Sequence, residues 1–229
     1  MIQESGENKI VKIYPEVKEN RLSKLLGGKA NQELPESIRS KLRVLENKFN
    51  SLIKPHIHYR MVDFRVKDKG VIHISGTIEF ESRNLSKVMK SAEKLVCFIG
   101  TLGPGIEEEV GALMHHNDFS EAYILDAMGS VAVEDLVDKF QQTIKNECER
   151  EGKTVTLRFS PGYCDWPLTE QKKLFSLFEP EDILVQLLNS CLMQPVKSIS
   201  GVFGIVPQGS VLYNPCADCD DRACKARRI

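Results

Sequence analysis

Long apolar runs and an excess of charge of one sign are both missing from this chain. No stretch of about 18–20 apolar residues is present, and residues 1–10 are polar where a secretory signal needs an apolar segment. The 31 Lys and Arg residues balance 32 Asp and Glu residues, so composition gives no reason to bind nucleic acid or an anionic membrane. We therefore expect a cytoplasmic protein that binds neither nucleic acid nor membranes.

The chain is nevertheless long and apolar enough to fold around a sizeable core. Its 229 residues are 41% hydrophobic and 28% charged, which excludes wholesale disorder. Cysteine is present seven times, an odd number that argues against a complete disulfide framework. Helical and extended patterns follow one another without the regular alternation of a doubly wound sheet, so the sequence predicts an α+β fold.

Hydrophobic periodicity predicts the individual elements. Helices are expected over residues 16–26, 35–53, 118–149 and 169–178, with a further helix starting in 180–188. Strands are expected over residues 57–66 (with a bulge where the apolar phase changes), 71–80, 95–99 and 154–159, followed by a hairpin formed by 198–206 and 210–213. Residues 1–80 are predicted to form an N-terminal helical and hairpin lobe of the same domain as the rest.

The most unusual segment is 157–167, which reads LRFSPGYCDWP and contains the only tryptophan. Arg158 offers a planar fork of donors for a carboxylate or phosphate, Gly162 permits a close backbone approach, and Tyr163 offers a ring face and a hydroxyl. Such a turn can hold a small polar ligand. The alternative is ordinary structure, because strand-end arginines often form surface ion pairs and Pro-Gly-Tyr is common turn chemistry.

The run from Arg158 to Tyr163, followed by Pro167, Lys172 and Leu174-Phe175, resembles the Arg-x-x-x-Gly-Tyr motif and the following helix of a known family. The family is the activation region of cobalamin-dependent methionine synthase, which binds S-adenosylmethionine. Two further stretches are similar at compatible places, residues 127–134 (AMGSVAVE) and 193–201 (MQPVKSISG). The resemblance covers about residues 118–213, and residues 81–213 are predicted to be the activation core.

This resemblance implies a twisted antiparallel sheet with flanking helices and a role in methionine biosynthesis. The family uses S-adenosylmethionine for the reductive remethylation of cobalamin that has lost an electron. Because the chain has no room for corrinoid, folate and homocysteine modules, it looks like a free-standing activation protein. Cobalamin would then be supplied by a partner, a separate corrinoid-binding methyltransferase, and the electron by a donor protein.

The resemblance also implies which residues bind the ligand. Arg158 would hold its methionine end, Ser160, Gly162 and Tyr163 would shape the pocket, and Glu134 would supply a carboxylate to the cationic ligand. The ordinary interpretation of Glu134 is a solvated helix face. Methyl transfer requires orientation and exclusion of water more than proton transfer, so no catalytic acid or base is predicted.

The sequence departs from the family at two places near this motif. Leu168-Thr169 replace an Asp-His pair, and the family's aromatic contact on the last hairpin falls at Val211. Tyr213, two residues later on the same face of the predicted strand, is the candidate replacement. If the ligand site has been lost with these changes, the protein would be a non-catalytic corrinoid-protein chaperone.

Residues 214–229 form a cysteine-rich C-terminal tail in which Cys216, Cys219 and Cys224 follow a Cys-x2-Cys-x4-Cys pattern. Three thiolates are an incomplete tetrahedral set for zinc or an iron–sulfur cluster, so Cys164, Cys191 or a partner chain would have to complete it. Thiol–disulfide redox chemistry and a flexible structural tail are the alternatives. A metal or iron–sulfur redox adaptor is accordingly a rival to the activation function.

Overall fold

The computed structural model describes residues 6–28, 34–67, 70–74 and 78–217 and confirms an α+β fold with antiparallel sheets. The helices in these ranges are α1 (Glu19–Leu25), α2 (Glu36–Leu52), α3 (Arg83–Val88), α4 (Gly105–His115), α5 (Phe119–Glu149) and α6 (Gln171–Phe175). The strands are β1 (Lys9–Val11), β2 (His56–Val62), β3 (Phe64–Lys67), β4 (Val71–Ile74), β5 (Glu79–Glu81), β6 (Lys94–Thr101), β7 (Lys153–Val155), β8 (Gln186–Leu187), β9 (Met193–Gln194) and β10 (Ser198–Pro207).

A five-stranded antiparallel sheet, in the order β1-β2-β6-β10-β7, is the centre of the molecule. Helices α2 and α5 bury their apolar stripes against one face of this sheet. Phe140 of α5 lies at the middle of that core, with its ring centroid 5.1 Å from that of Tyr59 and 5.9 Å from those of Phe98 and Phe203. The long amphipathic helix is therefore fixed on the sheet by aromatic packing.

The opposite face of the sheet carries a second apolar core. Strand β6 serves both cores because its side chains alternate, with Val96 and Phe98 in the first core and Leu95, Cys97 and Ile99 in the second. The second core is closed by the three-stranded sheet β3-β4-β5, by α3 and α6, and by the segment that carries the single tryptophan.

The predicted helices over 35–53 and 118–149 are confirmed, and each of their ends lies within one residue of the prediction. Both contain buried apolar side chains at helical spacing, which is the local pattern that predicted them. The predicted helix over 169–178 is shorter and begins with a 3-10 turn, Leu168–Glu170, before α6. The predicted strand over 154–159 ends at Val155, although Phe159 still forms an isolated bridge to Val202.

Two predictions near the ends of strands are wrong. The phase change after Met61 is not a bulge, because Asp63 separates β2 from β3 and the chain passes from one sheet to the other. Residues 210–213 do not form a strand with β10. Strand β10 already pairs with β6 and β7, and Ile205 and Pro207 face Val155 and Lys153 where a returning strand would have to bind.

Residues 180–188 are not helical beyond a 3-10 turn at Pro180–Asp182. Val185 is buried in the second core, with Ile183 and Leu187 partly buried beside it, while Leu184 is exposed. This alternation has the period of two that an extended chain requires, and it leads into β8. The proposed boundaries at residues 80 and 213 stay a prediction.

Within the described ranges, no helix combines the length and the hydrophobicity that a membrane span requires.

Candidate functional site

The segment that follows β7 lies directly against β10. The Thr156 N–H donates to the Gly204 carbonyl at 2.9 Å, and Phe159 and Val202 exchange two backbone hydrogen bonds of 2.8 Å. A Cβ atom on Gly201 would lie 2.5 Å from the Phe159 carbonyl oxygen, so β10 needs glycine where this segment crosses it. The close approach fixes the backbone on either side of Arg158.

Arg158 points to α5 and forms two ion pairs there. Its Nη2 lies 2.8 Å from Glu134 Oε2 and its Nη1 lies 2.7 Å from Asp138 Oδ1. The Arg158 side chain is 7% exposed, whereas those of Glu134 and Asp138 are 43% and 31% exposed. The two carboxylates are four residues apart and therefore share one face of the helix. The structure thus brings two of the predicted residues together and adds Asp138.

Asp138 is also bound by the N-terminal helix. Arg21 of α1 places its Nη2 2.8 Å from Asp138 Oδ2, so two guanidinium groups share one carboxylate. Burial raises the pKa of Asp138, but the hydrogen bonds and positive charges of Arg158 and Arg21 outweigh burial and lower it. Neither Asp138 nor Arg21 was predicted from the sequence as a residue of the site. For Asp138, the available signal was its spacing of four residues from Glu134, which places both carboxylates on one face of α5.

A cleft of about 350 Å³ opens beside Asp138, between α5 and the chain that leaves β7. The Gln141 side chain fixes one wall, because its Nε2 donates to the Thr156 carbonyl at 2.8 Å. Carboxylate, amide, ammonium and aliphatic groups are all present in the lining, which suits a small polar ligand. The lining residues are Asp138, Gln141, Gln142, Lys145, Thr154, Val155, Thr156, Leu157 and Leu212.

The turn itself is closed by backbone hydrogen bonds. The Gly162 N–H donates to the Trp166 carbonyl at 2.8 Å, and the Tyr163 N–H donates to the Ser160 carbonyl at 3.3 Å. Gly162 has φ of +92°, a backbone conformation that residues with a side chain rarely adopt, so this position requires glycine. The Tyr163 side chain is exposed and its ring is accessible at the surface of the turn.

The end of the same segment is anchored to α3. Asp165 accepts hydrogen bonds from Ser82 Oγ at 2.6 Å and from the backbone N–H groups of Arg83 at 2.7 Å and Asn84 at 3.2 Å. Trp166 is 1% exposed, and its ring centroid is 5.2 Å from that of Phe80 in the second core. These contacts hold the turn in place from the side opposite to Arg158.

Tyr213 lies at α3 and makes its contacts there. Its hydroxyl is 3.5 Å from Asn84 Oδ1, and Lys87 Nζ lies 5.2 Å from the centroid of its ring. The expectation that Tyr213 shares a strand face with Val211 is wrong, because there is no strand at these positions. Arg158 and Glu134 meet at α5 instead, whereas the contacts of Tyr213 are with α3.

The predicted metal ligands are only partly covered by the structure. Cys216 is partly buried, and its N–H donates to Asn214 Oδ1 at 3.0 Å. Cys219 and Cys224 lie outside the described residues. Among the residues that are described, no three His, Cys, Asp or Glu side chains are grouped so that they could hold a metal ion.

Residues 85–221, more than half of the chain, match the family model for the activation domain of vitamin B12-dependent methionine synthase. The chain belongs to this family. The match contains Glu134, Asp138 and the whole Arg158 turn, whereas Arg21 lies before it. Among curated proteins, no sequence matches the chain significantly.

A solved structure described as the MetH reactivation domain bound to AdoHcy has the same fold. It aligns with a TM-score of 0.69 over 90% of this chain and 80% of that chain, at 14% sequence identity. The alignment therefore extends to the N-terminal part of the chain that the family model does not match. This alignment confirms the predicted fold of the activation region.

Proposed function

We propose that this chain binds S-adenosylmethionine beside the Arg158 turn and supports the reductive remethylation of cobalamin on a separate methyltransferase in the cytoplasm. Methionine synthase is the partner that the family suggests. The observation that carries the proposal is the contact of Arg158 with Glu134 and Asp138, next to a cleft and inside the family match. The neighbour bound to AdoHcy, which is S-adenosylmethionine without its transferable methyl group, supports the choice of ligand.

The charges in this site complement those of the ligand. S-adenosylmethionine carries a carboxylate, an ammonium and a sulfonium group, and the site offers the guanidinium groups of Arg158 and Arg21 with the carboxylates of Glu134 and Asp138. Arg158 would exchange one of its present carboxylate partners for the ligand carboxylate, which matches its planar fork of donors. Glu134 and Asp138 would then lie near the cationic groups and stabilise them.

The remaining residues of the turn would shape the pocket. Ser160 and Gly162 bring the backbone close to the ligand, and the exposed ring of Tyr163 supplies an apolar face beside it. Tyr213 remains a predicted contact of the ligand, and titration of Tyr213→Phe with S-adenosylmethionine would test it. The protein need only orient the sulfonium methyl group and exclude water, because the partner's reduced cobalt supplies the nucleophile.

A corrinoid-binding chain would dock over this turn and receive its electron from a donor protein. Exposed apolar side chains lie in and after the turn and at the end of the sheet, where such a chain would cover them. They are Tyr163, Leu168, Val211 and Leu212. The partner would thereby shield the methyl group from water during transfer.

Calorimetric titration with S-adenosylmethionine tests this proposal. Arg158→Lys keeps the charge but loses the planar fork, and we expect about 10- to 100-fold weaker binding, since a hydrogen bond to a charged group contributes roughly 1.5–3 kcal/mol. Glu134→Gln should also weaken binding. Asp126→Asn is the matched control, because Asp126 lies on the same helix and pairs with the buried Lys197 at 2.7 Å.

Saturable binding to the wild type and to Asp126→Asn, weakened in Arg158→Lys, would support the proposal. The absence of binding to the wild type, or equal binding to the wild type and Arg158→Lys, would contradict it. Binding of a corrinoid methyltransferase without any binding of S-adenosylmethionine would instead favour the chaperone function.

A further inference from the structure

The cleft beside Asp138 and the ion pairs of Arg158 are parts of one surface. Asp138 lines the cleft and also accepts a hydrogen bond from Arg158 Nη1 at 2.7 Å. Leu157, the residue before Arg158, lines the cleft as well. Gln141 follows Asp138 by three residues on α5, so these two side chains lie on one side of the helix. A ligand whose carboxylate is bound by Arg158 can therefore extend from there into the cleft.

The size and the lining of the cleft suit a flat uncharged ring. Pockets that enclose a whole small ligand measure about 300–1,000 Å³, so a cleft of about 350 Å³ can accommodate part of an extended molecule. Val155, Leu157 and Leu212 contribute aliphatic surface, against which the faces of a purine can pack. The ammonium of Lys145 in this lining lies 3.7 Å from Glu149, so its charge is already partly balanced. The cleft thus favours a neutral ring over a phosphate.

The side-chain amide of Gln141 is oriented by a contact between the two walls of the cleft. Its Nε2 donates to the Thr156 carbonyl at 2.8 Å. A carbonyl oxygen can only accept, so the amide nitrogen must be the atom that faces Thr156. The Oε1 atom of the same amide can only accept as well. Because Gln141 lines the cleft, this oxygen is an oriented acceptor for a ligand that binds there.

We infer that the cleft holds the adenine ring of S-adenosylmethionine and that Gln141 Oε1 accepts a hydrogen bond from the exocyclic amino group of adenine. The methionine end of the ligand would be at Arg158, so the inference rests on the proposed function. Adenine carries an amino donor at this position, whereas hypoxanthine, the base of inosine, carries an oxygen acceptor. Two acceptors cannot form a hydrogen bond with each other, so Gln141 would determine specificity for the adenosyl compound.

Calorimetric titration with S-adenosylmethionine and with S-inosylmethionine, its deaminated counterpart, tests this inference. We expect the wild type to bind the inosyl compound at least about tenfold more weakly, because the hydrogen bond is lost and two acceptors face each other. Gln141→Met keeps a side chain of similar length but has no amide. In this variant the preference for the adenosyl compound should fall below about threefold.

Gln142→Met is the matched control, because it makes the same change at the next residue of the helix. Gln142 is exposed, and its Nε2 donates along the helix to Asn146 Oδ1 at 2.7 Å. This variant should keep the preference of the wild type for the adenosyl compound. A preference that persists in Gln141→Met, or that is lost equally in Gln142→Met, would overturn the inference.

The measurement on the wild type does not depend on the folding of a variant. Equal binding of the two compounds by the wild type would overturn the inference about Gln141. If S-adenosylmethionine binding were still weakened by Arg158→Lys, the proposed function would nevertheless stand. The absence of S-adenosylmethionine binding to the wild type would overturn both.

Discussion

The two ends of the segment from Arg158 to Trp166 are held by different kinds of interaction. At the first end, Arg158 pairs with carboxylates of α5 that are partly exposed to water. At the second end, Asp165 binds backbone N–H groups of α3, and the Trp166 ring is buried. Ion pairs at a surface can exchange partners with a ligand, whereas a buried ring cannot leave without unfolding its core. The second end therefore holds the turn in place, and the ion pairs of the first end are the contacts that the proposed ligand would replace.

Trp166→Ala should have the largest effect on stability. Removing a buried indole from the contact with Phe80 should lower the free energy of unfolding by about 3–5 kcal/mol, measured by urea denaturation. The Trp166 Nε1 has no hydrogen-bond partner among the described residues, so Trp166→Phe loses no hydrogen bond, keeps an aromatic ring in the core and should cost less than Trp166→Ala. Equal losses in both variants would show that the ring is not the anchor.

Asp165→Asn should have a smaller and pH-dependent effect. Burial raises the pKa of Asp165, but the hydrogen bond from Ser82 and those from the backbone of Asn84 and Arg83 lower it below its ordinary value of 3.8. A lowered pKa stabilises the folded protein above the unfolded-state pKa, and this contribution disappears as the pH falls through the folded-state pKa. We expect a loss of about 1 kcal/mol at neutral pH, limited by the exposure of the side chain.

Urea denaturation of the wild type and Asp165→Asn from pH 7 to pH 2.5 measures this effect. The difference between the two proteins should be constant above about pH 4 and should shrink below it. Asp63→Asn, which removes an exposed ion pair with Lys94, should change stability by less than about 0.5 kcal/mol. A difference that grows as the pH falls would contradict this role for Asp165.

Arg21→Gln should have the smallest effect. The Arg21–Asp138 ion pair is partly exposed, so its loss should cost about 0.5 kcal/mol, and the cost should fall in 1 M salt. The pKa of Asp138, followed by carbon NMR, should rise only partway because Arg158 still donates to it. A loss above about 2 kcal/mol, insensitive to salt, would mean that α1 contributes to the Arg158 end by packing.

Local patterns explain which elements could be predicted. Helix α5 was predicted over its full length because its apolar stripe, and Gly152 with positive φ shortly after its end, are features of nearby residues. The segments over 180–188 and 210–213 were predicted wrongly. The first takes an extended path because the second core accepts alternate side chains, and the second has no strand because β7 occupies the edge of β10.

The residues of the candidate site also divide into those that local sequence could predict and those that it could not. The motif from Arg158 to Tyr163 was recognisable because its residues are consecutive, and Glu134 came from the same resemblance. The spacing from Glu134 places Asp138 on the same helix face, but nothing near Asp138 or Arg21 in the chain indicates that two guanidinium groups share one carboxylate. The pairing requires α1, α5 and the turn after β7 to meet.

The fold class, the main helices and the Arg-x-x-x-Gly-Tyr turn were predictable from the amino-acid sequence, because periodicity, capping and consecutive motifs are local properties. The partners of Arg158, the place of Tyr213 at α3 and the anchoring of the turn by Asp165 and Trp166 become visible only in the folded chain. The physical reason is that an ion pair or a buried ring contact depends on distance in space. Glu134 and Arg158 are 24 residues apart in the chain and 2.8 Å apart in the fold.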